Sequence, residues 1–242
     1  MKPSFMKDSL PFKNNLYSMK NLFKTVLFAA LGAIVFVSCN KKDDYDYEGE
    51  ALKVDRYIDS LLRAEKIKID EYMSENSDVT WIADTLTYPF YFLDKKTPRG
   101  IHYAILNEAT DDSYEYKFNS SNNPIAPEWK LKYNVHLLTG GDAVQSDLEG
   151  GKYNMSNPNT PNPFTEAWII SLFPSQNKVN GNIIPYKGLT EKGQKKGSKI
   201  RVIVPSLYAY GSLAKKADGK VFLKDIPANS PLVYEFDIME IQ

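Results

Sequence analysis

Few side chains in this sequence are equipped for bond-making chemistry. Two histidines, His102 and His136, and one cysteine, Cys39, leave little for zinc ligation or a nucleophile–base relay. A single cysteine excludes an intramolecular disulfide and a cysteine-based metal site. His102 alternates with Ile101 and Tyr103 in a strand-like run, so it reads as a residue on one face of a strand rather than as a ligand. Ser206, within Pro205–Tyr208, has no glycine elbow around it. The run Gly193–Ser198 resembles a phosphate loop only at its end, because Gly197 stands where the lysine should directly precede the serine. Asp43, Asp44 and Asp46 lack the spacing and the turn glycine of a calcium loop, and read as a solvated linker. Aromatic side chains are plentiful instead: they make up 13% of the chain and include 16 tyrosines. Such a set suits a core and cleft that hold apolar segments of another chain. With 30 basic and 30 acidic residues, the balance of charge gives no reason to expect nucleic acid.

The elements that must position these aromatics are mostly strands. Ile200, Val202 and Val204 alternate with Lys199, Arg201 and Ile203, and Leu232, Tyr234, Phe236 and Ile238 alternate with Val233, Glu235, Asp237 and Met239. A period of two with β-branched and aromatic residues predicts strands with one face in a core. Pro205 ends the first strand, and Gly211 and Pro227 punctuate the connection to the second. Strand-like runs also occupy 79–82, 88–92, 100–106 and 129–138. Residues 154–164 read as a long polar loop. Ahead of all of these, Leu52, Tyr57, Ile58, Leu61, Leu62, Ile69 and Met73 recur at three- to four-residue steps, which predicts an amphipathic helix over 51–77 packed on the domain that follows.

The C-terminal segment resembles the FKBP family of peptidyl-prolyl isomerases. The matching residues are Pro205 at the end of a strand, Ala209-Tyr210-Gly211 in the turn, Ile226-Pro227, and the final strand from Leu232 to Ile238. The runs at 100–106 and 129–138 resemble two earlier strands of the same family, and the second carries Tyr133. The resemblance implies an α+β fold: a bent antiparallel sheet wrapped on a short helix over 78–242, here preceded by the N-terminal amphipathic helix. It implies a cleft with walls and floor from Tyr133, Tyr234 and Trp168, two donors to the substrate from the Tyr210 hydroxyl and the Ile226 backbone N–H, and no metal or organic cofactor. The family's tryptophan, which enters the short helix, has two possible counterparts here. One is Trp168, with 173–187 as an insertion; the other is the run Ile183-Ile184-Pro185-Tyr186, with Tyr186 or Leu189 in place of the tryptophan and Ile184 in the cleft. The family's Phe-Asp pair is absent, and Val144 and Gln145 stand nearest to it. Two readings of function follow. One is isomerisation of X-Pro bonds by desolvation and twisting in an aromatic cleft. The other is a catalytically weak or inactive FKBP-like protein that binds peptide, protein or glycan.

The first 50 residues predict targeting rather than fold. Lys20 and Lys24 precede an apolar run from Val26 to Val37, too short for a comfortable membrane span, so the segment reads as a secretory signal with Met19 as the expected start. Cys39 after Ser38 resembles the lipid-attachment cysteine of a bacterial lipobox, with Phe36 departing from the usual leucine. Residues 40–50 read as a charged, disordered tether, and Lys42-Asp43-Asp44 resembles the surface-export signal of Bacteroidetes lipoproteins. The expectation is an outer-membrane lipoprotein on the periplasmic side or the cell surface, monomeric, held by its lipid anchor and acting on proline-containing polypeptides.

Overall fold

The computed structural model describes residues 46–157, 163–179 and 181–242. All of these lie in the second of the two units into which the chain divides, Tyr45–Gln242. The expected signal, Cys39 and the first part of the tether fall outside the described residues.

Helix α1 runs from Tyr47 to Glu75, so it begins four residues earlier than the periodicity predicts and takes in the end of the expected tether. The reason is local. Asp46 caps the helix through its side chain, which accepts from the Gly49 N–H at 2.9 Å, and Glu48 and Glu50 sit in the first turn, where negative charge is favourable. A Cβ on Gly49 would lie 2.1 Å from the Asp46 carboxylate, which would have to turn aside to accommodate it. The buried stripe of α1 is Asp55, Ile58, Leu62, Glu65 and Ile69, at alternating steps of three and four. Two of these five residues are acids.

Six strands form one antiparallel sheet in the order β1-β4-β9-β10-β5-β6: β1 (Ile82–Ala83), β4 (His102–Asn107), β9 (Lys199–Val204), β10 (Leu232–Ile241), β5 (Trp129–Leu137) and β6 (Gln145–Tyr153). The last strand therefore lies inside the sheet. Register shifts at Ile105/Asn107, Leu131/Tyr133 and Ile238/Glu240 break the ladders, the kind of irregularity that bends and twists a sheet. Two small hairpins stand apart, β2 (Thr87–Tyr88) with β3 (Thr97–Pro98) and β7 (Gln176–Val179) with β8 (Asn182–Pro185).

One face of the sheet presents Leu131, Tyr133, Val135, Ile200, Val202, Tyr234, Phe236 and Ile238 to the short helix α2 (Glu166–Leu172), in the main core. On the other face, Ile203 and Val233 pack against Ile69 of α1, with Tyr72 and Met73 alongside. The fold is thus mixed α+β, a large antiparallel sheet between a short helix and a long one. Among the described residues no helix is long and apolar enough to cross a membrane.

Candidate functional site

Strands β5, β6 and β10 and helix α2 bring their aromatic side chains together on one face of the sheet. Trp168, in the first turn of α2, lies 5.0 Å from Tyr133 and 4.8 Å from Phe236 between ring centroids, in edge-on contacts. Tyr153 at 5.5 Å and Phe164 at 5.0 Å complete its surroundings. Tyr234 stacks on Phe236, and its hydroxyl meets the hydroxyl of Thr165, the residue just before α2, at 3.3 Å. Edge-to-face geometry adds to what area burial alone contributes. Trp168 is thus placed in the aromatic cluster. Ile184 instead lies in β8, opposite Asn177 in the hairpin that follows α2, and is not part of the aromatic cluster. Ile184 is therefore not among the residues that the structure gathers at the cluster, whereas Tyr186 and Leu189 pack against the same core.

Tyr210 sits at the edge of the cluster, half-buried, in the turn that follows a short 3₁₀ segment, Ser206–Tyr208. Its ring packs edge-on against Phe222 at 5.4 Å, and the Lys215 ammonium stands 5.2 Å from its centroid, a cation–π distance. Its hydroxyl donates to Gln145 Oε1 at 3.0 Å. Burial pushes the phenol well above its ordinary value, so it stays protonated and remains a donor. Burial also pushes Tyr133 up to about 12, with the charge of Asp147 adding to the effect.

Gln145 is the residue that sequence reasoning undervalued. It is fully buried, its oxygen accepts from Tyr210, and its Nε2 has no hydrogen-bond partner among the described residues. A buried donor without an acceptor is uncommon and asks for an explanation. The sequence carries a signal, since Gln145 stands nearest to the acid of the Phe-Asp pair that the resemblance leads one to expect. Val144 is buried beside it, with its backbone N–H donating to Val135 and its carbonyl accepting from Leu223. The nearest acid to the cluster is Asp147. It accepts from the Tyr153 hydroxyl at 2.6 Å and from the N–H groups of Glu149 and Gly150, so it is committed to its own strand end. Asp142 is exposed and paired with Lys224.

Ile226 does not supply the second donor. Its backbone N–H already donates to the Lys215 carbonyl at 2.9 Å, and its carbonyl accepts from the Lys215 N–H at 2.8 Å. The loop closes on itself there, and the Ile226 side chain, buried in the core, is all that this residue lends the site.

The aromatic cluster is tightly closed. Tyr133, Tyr153, Val144, Trp168 and Tyr234 are all buried. Two open grooves, of about 420 and 430 Å³, lie elsewhere, along Asn107–Lys195 and between the end of α1 and the back of the sheet. No group of three or more His, Cys, Asp or Glu side chains among the described residues is placed to hold a metal ion.

No family model matches the sequence, and no curated protein matches it. Among solved structures the chain is similar to a peptidyl-prolyl cis–trans isomerase of Pseudomonas syringae, with TM-score 0.41, 14% identity, and 76% of this chain and 95% of that one covered. It is also similar to AtFKBP13, at TM-score 0.39, 15% identity, and 60% and 96% coverage. A third likeness is to the three FKBP domains of wheat FKBP73, at TM-score 0.35, 18% identity, and 59% and 46% coverage. At identities this low and overlaps this partial, the activity of those proteins does not transfer to this chain.

Proposed function

We propose that this chain is a peptidyl-prolyl cis–trans isomerase of the FKBP type with low turnover. The observation that carries the reading is the convergence of Tyr133, Trp168, Tyr234 and the hydroxyl-bearing Tyr210 on one face of the sheet, from four separate elements. An X-Pro bond resists rotation by about 18–20 kcal/mol, and no nucleophile is needed to lower that barrier. The twisted transition state has lost amide resonance and is less polar than the planar bond, so a dry aromatic wall favours it differentially. A phenol donating to a neighbouring substrate carbonyl holds the peptide in place. Low turnover follows from two features of the site. The cluster is closed, so a prolyl ring enters only when edge side chains such as Phe164 and Phe222 move, and the Tyr210 hydroxyl must leave Gln145 before it reaches a substrate.

The engagement of Tyr210 by Gln145 also favours a second reading, a module that binds proline-containing peptide without turnover. A protease-coupled isomerisation assay on the full chain separates the two. Acceleration of an X-Pro peptide above the uncatalysed rate supports the enzyme. No acceleration, with peptide binding lost in Tyr210→Ala, replaces the enzyme with the binding module. We further propose, on the sequence pattern of residues 20–39, a monomeric lipoprotein outside the cytoplasm anchored through Cys39. Fatty-acid labelling that persists in Cys39→Ala would remove that anchor from the proposal.

A further inference from the structure

Helix α1 reaches the turn that carries Tyr210 through a buried carboxylate. Glu65 is 1% exposed and Ser206 is 0% exposed. The Ser206 N–H donates to Glu65 Oε2 at 2.8 Å and its hydroxyl donates to Oε1 at 2.5 Å, so both carboxylate oxygens are used on one residue that lies 141 positions away. The Ser206 carbonyl in turn accepts from the N–H groups of Ala209 at 2.9 Å and Gly211 at 2.8 Å. These are the two residues that flank Tyr210. The helix touches the same turn a second time: the Tyr57 hydroxyl donates to Asn229 Oδ1 at 3.4 Å, and the Asn229 N–H donates to the Gly211 carbonyl at 2.7 Å.

A carboxylate is a poor choice for stability at this position. Burial costs several kcal/mol for an ion, and replacing buried charge with a well-packed apolar side chain is often neutral or stabilising. Glu65 occupies the stripe shared by Leu62 and Ile69, where a leucine or methionine would pack. Burial raises the Glu65 carboxyl above its ordinary value, opposed by the two bonds to Ser206 and by Lys68 on the same helix. The carboxylate therefore costs the fold something, and what it holds is the Ser206 turn.

We propose that Glu65 is a positioning residue for Tyr210, fixing the Ser206–Gly211 turn from the far side of the sheet and making α1 a working part of the site. The role rests on the reading of Tyr210 as the substrate donor. The chain of contacts is continuous: the Glu65 carboxylate holds the Ser206 N–H and hydroxyl, the Ser206 carbonyl holds the amides on both sides of Tyr210, and the tyrosine ring is aimed by its own backbone.

The test uses the full-length protein with Glu65→Met, Glu65→Gln, Ser206→Ala and Tyr210→Phe. In Glu65→Met, amide hydrogen exchange at Ala209 and Gly211 should accelerate by at least about tenfold while the melting temperature stays level or rises. Its kcat/KM for an X-Pro peptide should fall by up to about tenfold, no more than removal of the Tyr210 hydroxyl itself costs. In a Tyr210→Phe background the same substitution should have little further effect on kcat/KM, because it acts through the lost hydroxyl. Should Glu65→Met fail to fold, Glu65→Gln keeps one acceptor oxygen, and it and Ser206→Ala should each give an intermediate loss. Unchanged exchange at Ala209 and Gly211 in every folded variant overturns the proposal. So does a kcat/KM loss in Glu65→Met that is fully additive with Tyr210→Phe. If the wild type isomerises nothing, the isomerase reading falls, and the exchange measurement still decides whether Glu65 holds the turn.

Discussion

Replacing Gln145 with leucine separates what this side chain does for stability from what it does for the site. Gln145 is 0% exposed, makes one hydrogen bond to Tyr210 at 3.0 Å, and carries an Nε2 without a partner among the described residues. Leucine removes both groups at similar volume. Losing a typical hydrogen bond costs about 0.5–1.5 kcal/mol, and removing a buried donor that lacks an acceptor returns about 1–3 kcal/mol. The Tyr210 hydroxyl that is freed belongs to a half-buried side chain. The balance leaves Gln145→Leu between about 0.5 kcal/mol less stable and about 2.5 kcal/mol more stable. In a folded unit of this size about 1 kcal/mol moves the melting temperature by about 2–4 °C. Activity should not fall and should rise by up to about tenfold, because the hydroxyl no longer has to leave Gln145 before it donates to a substrate. Urea unfolding and calorimetry on the same samples check the first claim. A loss of more than about 2 kcal/mol would mean that Nε2 has a partner after all, and would refute the reasoning.

Gly151→Ala places a Cβ 2.5 Å from the Asp147 carboxylate and 3.1 Å from the Tyr153 ring. It should cost about 1–3 kcal/mol in a denaturation series and loosen the Tyr153–Asp147 bond. Trp168→Ala, at a side chain with no exposed surface, should cost about 3–5 kcal/mol by the same measurement. Lys95 donates to Asp59 and, as the largest influence, holds its carboxyl below the ordinary 3.8. A folded-state value below the unfolded one means stability that is present above the ordinary carboxylate range and lost as pH falls through and below 3.8, so the difference between wild type and Asp59→Asn in unfolding free energy should shrink on acidification through that window. The Tyr210–Gln145 pair contains only an amide and a phenol held high, so the pair itself should contribute no change in isomerisation rate under mild acidification.

How much of this was legible in the sequence depends on the range of the interaction. Strands β9 and β10 were readable because alternation is local, and so was the stripe of α1. The start of α1 was not, since Glu48 and Glu50 look like tether until Asp46 is seen capping them. Trp168 and the run Ile183–Tyr186 competed because each is an apolar stretch with an aromatic ahead of β9, and only the fold puts Trp168 in α2 and Ile184 in the β7–β8 hairpin. Ile226 failed for a different reason: whether a backbone N–H is free depends on which strand faces it, and Lys215 was not marked as its partner by any side-chain pattern. Glu65 and Asp55 did leave a signal. Both are acids at the three- and four-residue steps of an apolar stripe, where a charge has to find a partner across the fold. Asp55 finds three, accepting from the N–H groups of Tyr91, Phe92 and Leu93.

The most direct measurement is the rate of X-Pro isomerisation by wild type, Tyr210→Phe and Tyr210→Ala, followed by exchange NMR on a proline-containing peptide. Tyr210→Phe keeps the ring and removes only the donor, so its kcat/KM should drop by up to about tenfold, the equivalent of one hydrogen bond realised in the transition state. Tyr210→Ala also opens the wall beside Phe222 and should drop further. A wild type that accelerates isomerisation while Tyr210→Ala matches it would contradict the assignment of this cluster as the site.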